Sequence, residues 1–285
     1  MKNETQLERY KKLTSYIDKY FKEDIDIKKI EEICHYSYRN INRIFLALHN
    51  ETIGKYIKRI RLEKAAQYLK FSNSKIADIA FQVGFENAPA FNKAFKSKFN
   101  CTPKDFRNSA EANRNIIKTA FDINAKPLEF SIEFLRDFDF LYLEYRGIFS
   151  DNIAVEKTWE ELLHYCEKEN LISSNTIFLA ELLDDNEICD SIHFRYNCAI
   201  NLDRPNEIEP KGLFKVKKHK RQKYAKFKHI GAYEKSHETY NKIYGYWLTD
   251  VQLEFADKPS IEKYPSFFKA IPEEQQVIEI YIPVQ

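Results

Sequence analysis

Two short stretches carry polar side chains at helical spacing. Arg39, Asn42 and Arg43 stand at i, i+3 and i+4 within "YRNINRIFLALHN". In "APAFNKAFKSKF", Ala88 and Pro89 open the run and Asn92, Lys93 and Lys96 share one side of it. Arginine and lysine on an exposed helix reach guanine edges or phosphate oxygens, and asparagine pairs with adenine. A single such face is an ordinary solvated surface. Two matched faces, in a part of the chain with excess positive charge, point to a polyanion. Residues 1–110 hold 22 Lys+Arg against 13 Asp+Glu, while residues 111–285 hold 23 against 30. The basic front invites nucleic acid and the acidic rear does not.

The elements that must position these residues repeat. "IKKIEEICHYSYRNINRIFLALHN" (27–50) aligns with "IADIAFQVGFENAPAFNKAFKSKF" (76–99) at a separation of 49 before the turn and 50 after it. Each unit reads as a short helix, a turn and a longer helix, a helix-turn-helix pattern with one extra residue in the second turn. Ser37 and Asn87 are suited to cap the second helices. Pro89 is tolerated in a first helical turn, and Gly84 allows a tight turn with positive φ. Ala80 lets two helices approach. The first unit has Glu31 and His35 at these two positions. Ile41, Ile44, Phe45 and Leu48 are expected to form the buried stripe of the first long helix, with Leu46 on the outer face beside Arg39, Asn42 and Arg43.

Between the units, "TIGKYIKRIRLEKAAQYLKFS" (52–72) predicts a helix capped by Thr52, with Ile53, Ile57 and Ile60 inward. About 19 helical residues span roughly 28 Å, near the ~34 Å between successive major-groove faces of B-DNA. Lys55, Lys58, Arg59 and Arg61 are expected to add phosphate-binding capacity.

Residues 5–108 resemble the AraC-type DNA-binding domain. The resemblance rests on "LERYKKLTSYIDKYF", on "IADIAFQVGFEN" and on the closing "FKSKFNCTPKDFRN", where Asn100 stands at a position commonly Gly. It implies base contact from Arg39, Asn42 and Arg43 in the first reading helix. In the second it implies Ala88, Pro89, Asn92 and Lys93. Ala88 and Pro89 offer no side-chain hydrogen bonds, so that helix start is expected to sense phosphate and shape.

A polar stretch, "SAEANRNIIKTAFDINAKP", marks the expected linker at 109–126, with Ile116, Ile117 and Phe121 able to dock on a neighbouring domain. Beyond it a second repeat appears at separation 84. "LEFSIEFLRDFDFLYLEYRGIF" (128–149) faces "GLFKVKKHKRQKYAKFKHIGAY" (212–233), and "HFRYNCAI" faces "VIEIYIPV". Alternation in "QKYAKFKHI" and "VIEIYI" predicts strands, and each unit reads as strands, a helix and more strands. The fold class expected is therefore an all-α double helix-turn-helix domain (1–108) followed by an α+β domain (127–285) made of a duplicated β-α-β-β unit in one sheet. "KVKKHKRQK" (215–223) reads as a solvated basic hairpin, or as a stretch that touches flanking DNA or favours an anionic ligand.

Residues 126–285 resemble the GyrI-like effector-binding domain through "RYNCAINL", "YAKFKHIGAY" and "IEIYIPV", with Asn197 where Asp is usual. The resemblance implies an amphipathic, often cationic, small-molecule effector and places the family's pocket glutamate by position on Glu279. Glu279 also stands out on its own, as a carboxylate in an apolar strand with Tyr281 on its face. Pairing with Arg195, its repeat counterpart, or exposure on an edge strand are the alternatives. Tyr145, Trp247 and Tyr281 are the aromatic candidates for holding a cation.

The function expected is a sequence-specific DNA-binding transcription regulator with an effector domain, not an enzyme. Its partners would be double-stranded DNA and a small molecule, with RNA polymerase a further candidate. A protein-docking module, or a hydrolase with Glu279 as general base, are the alternatives for the rear domain. Cys34, Cys101, Cys166, Cys189 and Cys198 lack metal or disulfide spacing and read as reduced thiols; no metal or cofactor is expected. No apolar run long enough for a membrane span and no signal core occur, so a cytoplasmic protein is expected.

Overall fold

The computed structural model describes residues 6–110, 129–148, 151–184, 194–203, 205, 208–250, 253, 255–265 and 271–285. Ile116, Ile117, Phe121 and Cys189 lie outside the described residues, as does the side chain of Trp247. The chain divides into two compact units, Met1–Glu111 and Ala112–Gln285.

The first unit is helical: α1 (Gln6–Tyr20), α2 (Ile27–Cys34), α3 (Tyr38–His49), α4 (Ile53–Phe71), α5 (Ile76–Gln82) and α6 (Ala88–Phe99). A further helix, α7, runs through 103–110. Helix α4 is buried on more than one side because it serves two cores. Ile53, Tyr56, Ile57 and Ile60 join Leu13, Ile17, Ile30, Ile41 and Phe45. Leu62, Ala65, Ala66 and Leu69 are buried further along, where α4 meets α5 and α6. Thr52 caps α4 through Lys55 N, and Asn42 Oδ1 accepts from Ile53 N at 3.1 Å.

The two turns differ by the one residue visible in the repeat. Helix α2 ends on His35 at φ 54, whose N–H bonds Glu31 O, a left-handed cap with one backbone bond. Helix α5 ends with Phe85 N donating to Ala80 O and Gly84 N to Phe81 O, the two bonds of a Schellman motif. Gly84 sits at φ +92, and a Cβ there would lie 2.2 Å from Lys22 O. Positive φ and close approach both demand glycine. Asn100 closes α6 at φ 58, a conformation asparagine tolerates.

Two expectations are corrected here. Ile44 and Leu48 are exposed at 46% and 60%. The buried line of α3 is Ile41, Phe45 and His49, a four-residue repeat that drifts around the helix and leaves Ile44 and Leu48 on its flank. His49 holds that line by stacking on Phe45 and bonding Tyr10 Oη at 2.7 Å. Ser37 occupies the N-cap of α3 but makes no side-chain cap bond. Glu31 does so instead, accepting from Tyr38 N at 2.7 Å.

The second unit is one eight-stranded antiparallel sheet curled into a half-barrel. Its strands are β1 (Ser131–Leu135), β2 (Phe138–Gly147), β3 (Phe178–Leu182), β4 (Phe194–Leu202), β5 (Lys215–His219), β6 (Gln222–Ile230), β7 (Ser260–Tyr264) and β8 (Val277–Pro283). Helices α8 (Asn152–Lys168) and α9 (Ser236–Asp250) fall one in each repeat. The strand order is β1-β6-β8-β7-β3-β4-β2-β5. Replacing each strand by its repeat counterpart reverses that order onto itself, so the repeats are related by a pseudo-twofold axis. The central β3–β7 register places Leu179 opposite Lys263, its own counterpart at separation 84. The axis passes through that pair.

Each repeat's leading strand is broken at a two-residue corner. As a result β5 and β6 do not form the expected hairpin: β5 pairs with β2, and β6 pairs with β1 and β8. Each repeat lends its first strand to the edge of the other, which removes the hairpin register. Strand alternation then splits the side chains. One face, with Leu141, Leu143, Cys198, Ile200, Phe227 and Ile280, packs with Trp159 and Leu162 of α8 and Ile243 of α9. The other gathers Leu135, Phe140, Leu179, Ala199, Tyr224 and Tyr281.

Replacing Gly84 by alanine should lower unfolding stability in urea by about 1–3 kcal/mol, because a strained φ is combined with a backbone collision. Gly54, inside α4, has nothing within 4 Å of an added Cβ. Gly54→Ala should raise stability by about 0.5–1 kcal/mol.

Candidate functional site

The matched helix faces are exposed. Arg39 and Arg43 on α3 point to solvent, and so do Pro89, Asn92, Lys93 and Lys96 on α6; Ala88 is half-buried. Asn87 caps α6 by accepting from Ala90 N at 2.8 Å, so the helix start is ordered around Ala88 and Pro89. Behind this face Phe91 and Phe95 are fully buried, in ring contact with Phe85, Phe99 and Phe106. The basic face of α6 is thus the outer side of an aromatic core. Asn42 is half-buried, and its carbonyl oxygen is engaged with the start of α4.

The four basic residues of α4 divide two and two. Lys55 and Lys58 are exposed. Arg59 is 6% exposed: Nη2 and Nε bind Glu51, with a shortest contact of 2.7 Å, and Nη1 binds Glu63 at 3.0 Å. Lys98 of α6 joins Glu63 at 3.1 Å. Burial works against the Arg59 charge, yet the two carboxylates outweigh it and its pKa is raised. Arg61 donates to three backbone carbonyls, Phe21 O, Gly84 O and Glu23 O. Neither arginine is placed to receive phosphate. Both fasten α4 to the helices around it, a role spacing alone does not reveal.

In the rear unit the four expected effector residues separate. Register puts Glu279 and Tyr281 on the face opposite the helices. Tyr145, paired with Tyr196, lies on the helix side, 7% exposed and bonded to Ile148 O. Neighbouring residues of a strand point to opposite faces, and only the register fixes which parity belongs to which side. Helix α9 carries Trp247. Glu279 lies on β8, inside the sheet and not at its edge, and it does not pair with Arg195. Lys226 Nζ reaches Glu279 at 2.7 Å and Tyr281 Oη donates to it at 3.0 Å. Burial pushes the Glu279 carboxyl up, but these partners and the charge of Lys263 more than reverse that, and its pKa is lowered. Arg195 binds Asp184 at 2.6 Å.

A different carboxylate has no cation at ion-pair distance among the described residues. Glu262, on β7, is 5% exposed on the helix side. It accepts hydroxyl bonds from Tyr264 at 2.6 Å and Tyr240 at 2.9 Å, and Tyr264 Oη lies 2.7 Å from Tyr196 Oη. Trp159 and Tyr233 stack edge-on against Tyr264. Burial pushes the Glu262 carboxyl up despite the two tyrosine bonds. An acid enclosed by aromatic rings, with only hydroxyl donors among the described residues, is a place where a cation would gain from both the carboxylate and the rings. One sequence signal marks it: Glu262 occupies the repeat position of Phe178, an apolar, core-packed residue.

Paired helix-turn-helix units with two exposed basic faces, followed by a curled sheet with a buried acid among aromatics, define a DNA-binding module joined to a ligand-binding one. The profile of the GyrI-like small molecule binding domain matches residues 128–285, and that of a helix-turn-helix domain matches 31–109. The chain belongs to the GyrI-like small-molecule-binding family and carries an AraC-type helix-turn-helix module ahead of that domain.

Over 95 residues the chain is 40% identical to AdaA of Bacillus subtilis, a bifunctional transcriptional activator/DNA repair enzyme. That match covers 33% of this chain and 45% of AdaA, less than half of the relative. It is 30% identical over 95 residues to the regulatory protein SoxS of Escherichia coli, covering 33% of this chain and 89% of SoxS. Among solved structures, SAV2435 bound to tetraphenylphosphonium aligns at 16% identity and a TM-score of 0.42, over 55% of this chain and 94% of that one. The DNA-binding domain of AdpA in complex with a target DNA aligns at 19% identity and a TM-score of 0.35, over 36% and 94%. Among the described residues no helix is long and apolar enough to cross a membrane.

Arg59→Ala should cost about 3–5 kcal/mol in urea unfolding, since it leaves Glu51 and Glu63 buried without their cation. Lys58→Ala, one residue away and exposed, should change stability by less than about 0.5 kcal/mol.

Proposed function

We propose that this protein is a transcription activator that binds duplex DNA through α3 and α6 and answers to an amphipathic cation bound against Glu262. The observation that carries the DNA reading is the pair of basic faces, Arg39 with Arg43 and Asn92 with Lys93 and Lys96, on the two ends of one stiff helix. Lys55 and Lys58 add phosphate contacts, while Arg59 and Arg61 serve the fold. The match to SoxS over nearly its whole length supports the regulatory role. RNA polymerase is the partner an activator would address.

Glu262 supports the cationic reading better than Glu279. A cation arriving at Glu279 must displace Lys226, whereas one arriving at Glu262 replaces only tyrosine hydroxyl bonds. Catalysis by Glu279 loses support on the same ground. A salt-bridged carboxylate with a lowered pKa is a weak general base.

A duplex recovered by selection from random sequence tests the first half. In anisotropy titrations, Arg43→Ala and Lys93→Ala should each weaken binding about tenfold. Lys96→Ala should reduce the salt slope by about one. Absence of any sequence preference would reject the reading. For the second half, a lipophilic aryl cation such as tetraphenylphosphonium should bind the full chain and alter transcription in vitro. Its affinity should rise with pH as Glu262, whose pKa is raised, ionises. Glu262→Gln should remove both the pH dependence and most of the affinity, and Glu279→Gln neither.

A further inference from the structure

Lys263 follows Glu262 on β7 and points to the opposite face. It pairs across the sheet with Leu179 on one side and Glu279 on the other. Its Nζ lies 4.8 Å from the centre of the Tyr281 ring. Among the described residues it has no carboxylate at salt-bridge distance. Glu279, the nearest acid in register, is taken by Lys226 at 2.7 Å, and Glu133 also lies against Lys226, at 3.4 Å. Other acids toward that side are likewise occupied: Glu181 by Lys217 at 2.7 Å, Glu144 by Arg146 at 2.6 Å, and Asp184 by Arg195. Lys263 is therefore a half-buried cation without a contact ion pair among the described residues, attracted only at longer range by Glu279 and Glu133, and it stands on the pseudo-twofold axis.

One further group on this face has an unused ring nitrogen: His219 Nε2 is buried without a partner. Asn197, 2% exposed, gives its Nδ2 to Glu181 and keeps only an acceptor, Oδ1, free, which an anion cannot use. Burial, with smaller contributions from the charges of Lys217 and Lys263, lowers the His219 pKa against the pull of Glu181. Around them lie Phe140, Tyr142, Tyr224 and Ile261. The fold does not ask for a lysine here, because the symmetry-related position is the fully buried Leu179. Desolvating an ammonium costs several kcal/mol unless something pairs with it.

We infer that this face is a second ligand site, which takes an amphipathic anion with its carboxylate or sulfonate on Lys263 and its apolar body against Tyr281 and Ile261. It is separate from the cation site at Glu262. β7 presents the acid to the helix side and the base to the other, so the two sites select opposite charges.

Calorimetric titration of the full chain with 2-naphthoate, and with 2-naphthylmethylammonium as the charge-reversed control, tests this. The anion should bind, and Lys263→Met should weaken it about tenfold or more, while Lys263→Arg retains it. Glu262→Gln should leave anion binding unchanged. A cooperative urea-unfolding transition of the rear unit in Lys263→Met would show that the variant is folded. Three results would overturn the inference: no anion binding, equal or tighter binding of the ammonium compound at this face, or anion binding indifferent to Lys263→Met. The last would place the anion on the basic helical unit. None of these bears on the cation site, which is read from Glu262→Gln.

Discussion

Helix α4 closes two hydrophobic cores while joining two helix-turn-helix units, and this double duty decides what its charged residues do. An ordinary surface helix offers one apolar stripe and leaves the rest to water. Here the first half is buried against α1, α2 and α3, and the second against α5 and α6. Two arginines then fall inside. Arg59 is neutralised by Glu51 and Glu63, and Lys98 brings α6 into the same network. Arg61 satisfies three carbonyls at loops and turns, where helix geometry leaves acceptors unfilled. One of those carbonyls is Gly84 O, so the turn that requires glycine is also held by the linking helix. The spacing of α3 and α6 thus depends on the arginines that a charge count would have assigned to DNA.

The rear sheet shows a similar economy in β7. A central strand covered on both faces usually carries apolar residues throughout. "SIEKY" instead places Glu262 and Lys263 side by side, and alternation separates them completely. They cannot pair across the strand they share. Glu262 faces tyrosine hydroxyls, and Lys263 faces the ring of Tyr281. A duplicated domain makes such residues conspicuous. The counterparts Phe178 and Leu179 are apolar, so the two repeats differ in charge at two adjacent positions beside the pseudo-twofold axis.

Much of this was legible in the sequence. Both repeats appeared as fixed offsets, and the extra residue in the second turn proved to be the difference between a one-bond and a two-bond helix cap. His35 was readable as a left-handed residue, and Asn87 and Thr52 as caps. What failed was of two kinds. Helical periodicity placed Ile44 and Leu48 inward because it cannot sense which neighbour a helix meets. His49, polar by type, took the seam through an aromatic stack and a hydrogen bond. Strand periodicity identified alternating faces but not their sides. Glu279 therefore looked like a lone acid although Lys226 on the adjacent strand neutralises it, and Glu262 was not singled out at all. The exchange of β1 and β5 between repeats was equally hidden, since "KVKKHKRQKYAKF" reads locally as a hairpin and only the partner strands say otherwise.

Lys226 and Lys263 show how little separates a structural cation from an available one. Both are partly buried and both lie near Glu279 and the Tyr281 ring. Burial lowers the pKa of each. For Lys226 the bonds to Glu279 and Tyr281 overcome that penalty, so its pKa is raised. For Lys263 the pull of Glu279 is too distant to do so, Lys226 adds repulsion, and its pKa is lowered. Lys226 takes both carboxylates in reach, Glu279 at 2.7 Å and Glu133 at 3.4 Å, and Lys263 has neither at contact distance. Lys263 is left without a contact ion pair in a partly desolvated place, where an interaction is stronger than in water and where bulk ions screen it least. An anion able to bring apolar surface with its charge gains on both counts, which neither a small inorganic ion nor a neutral aromatic can do.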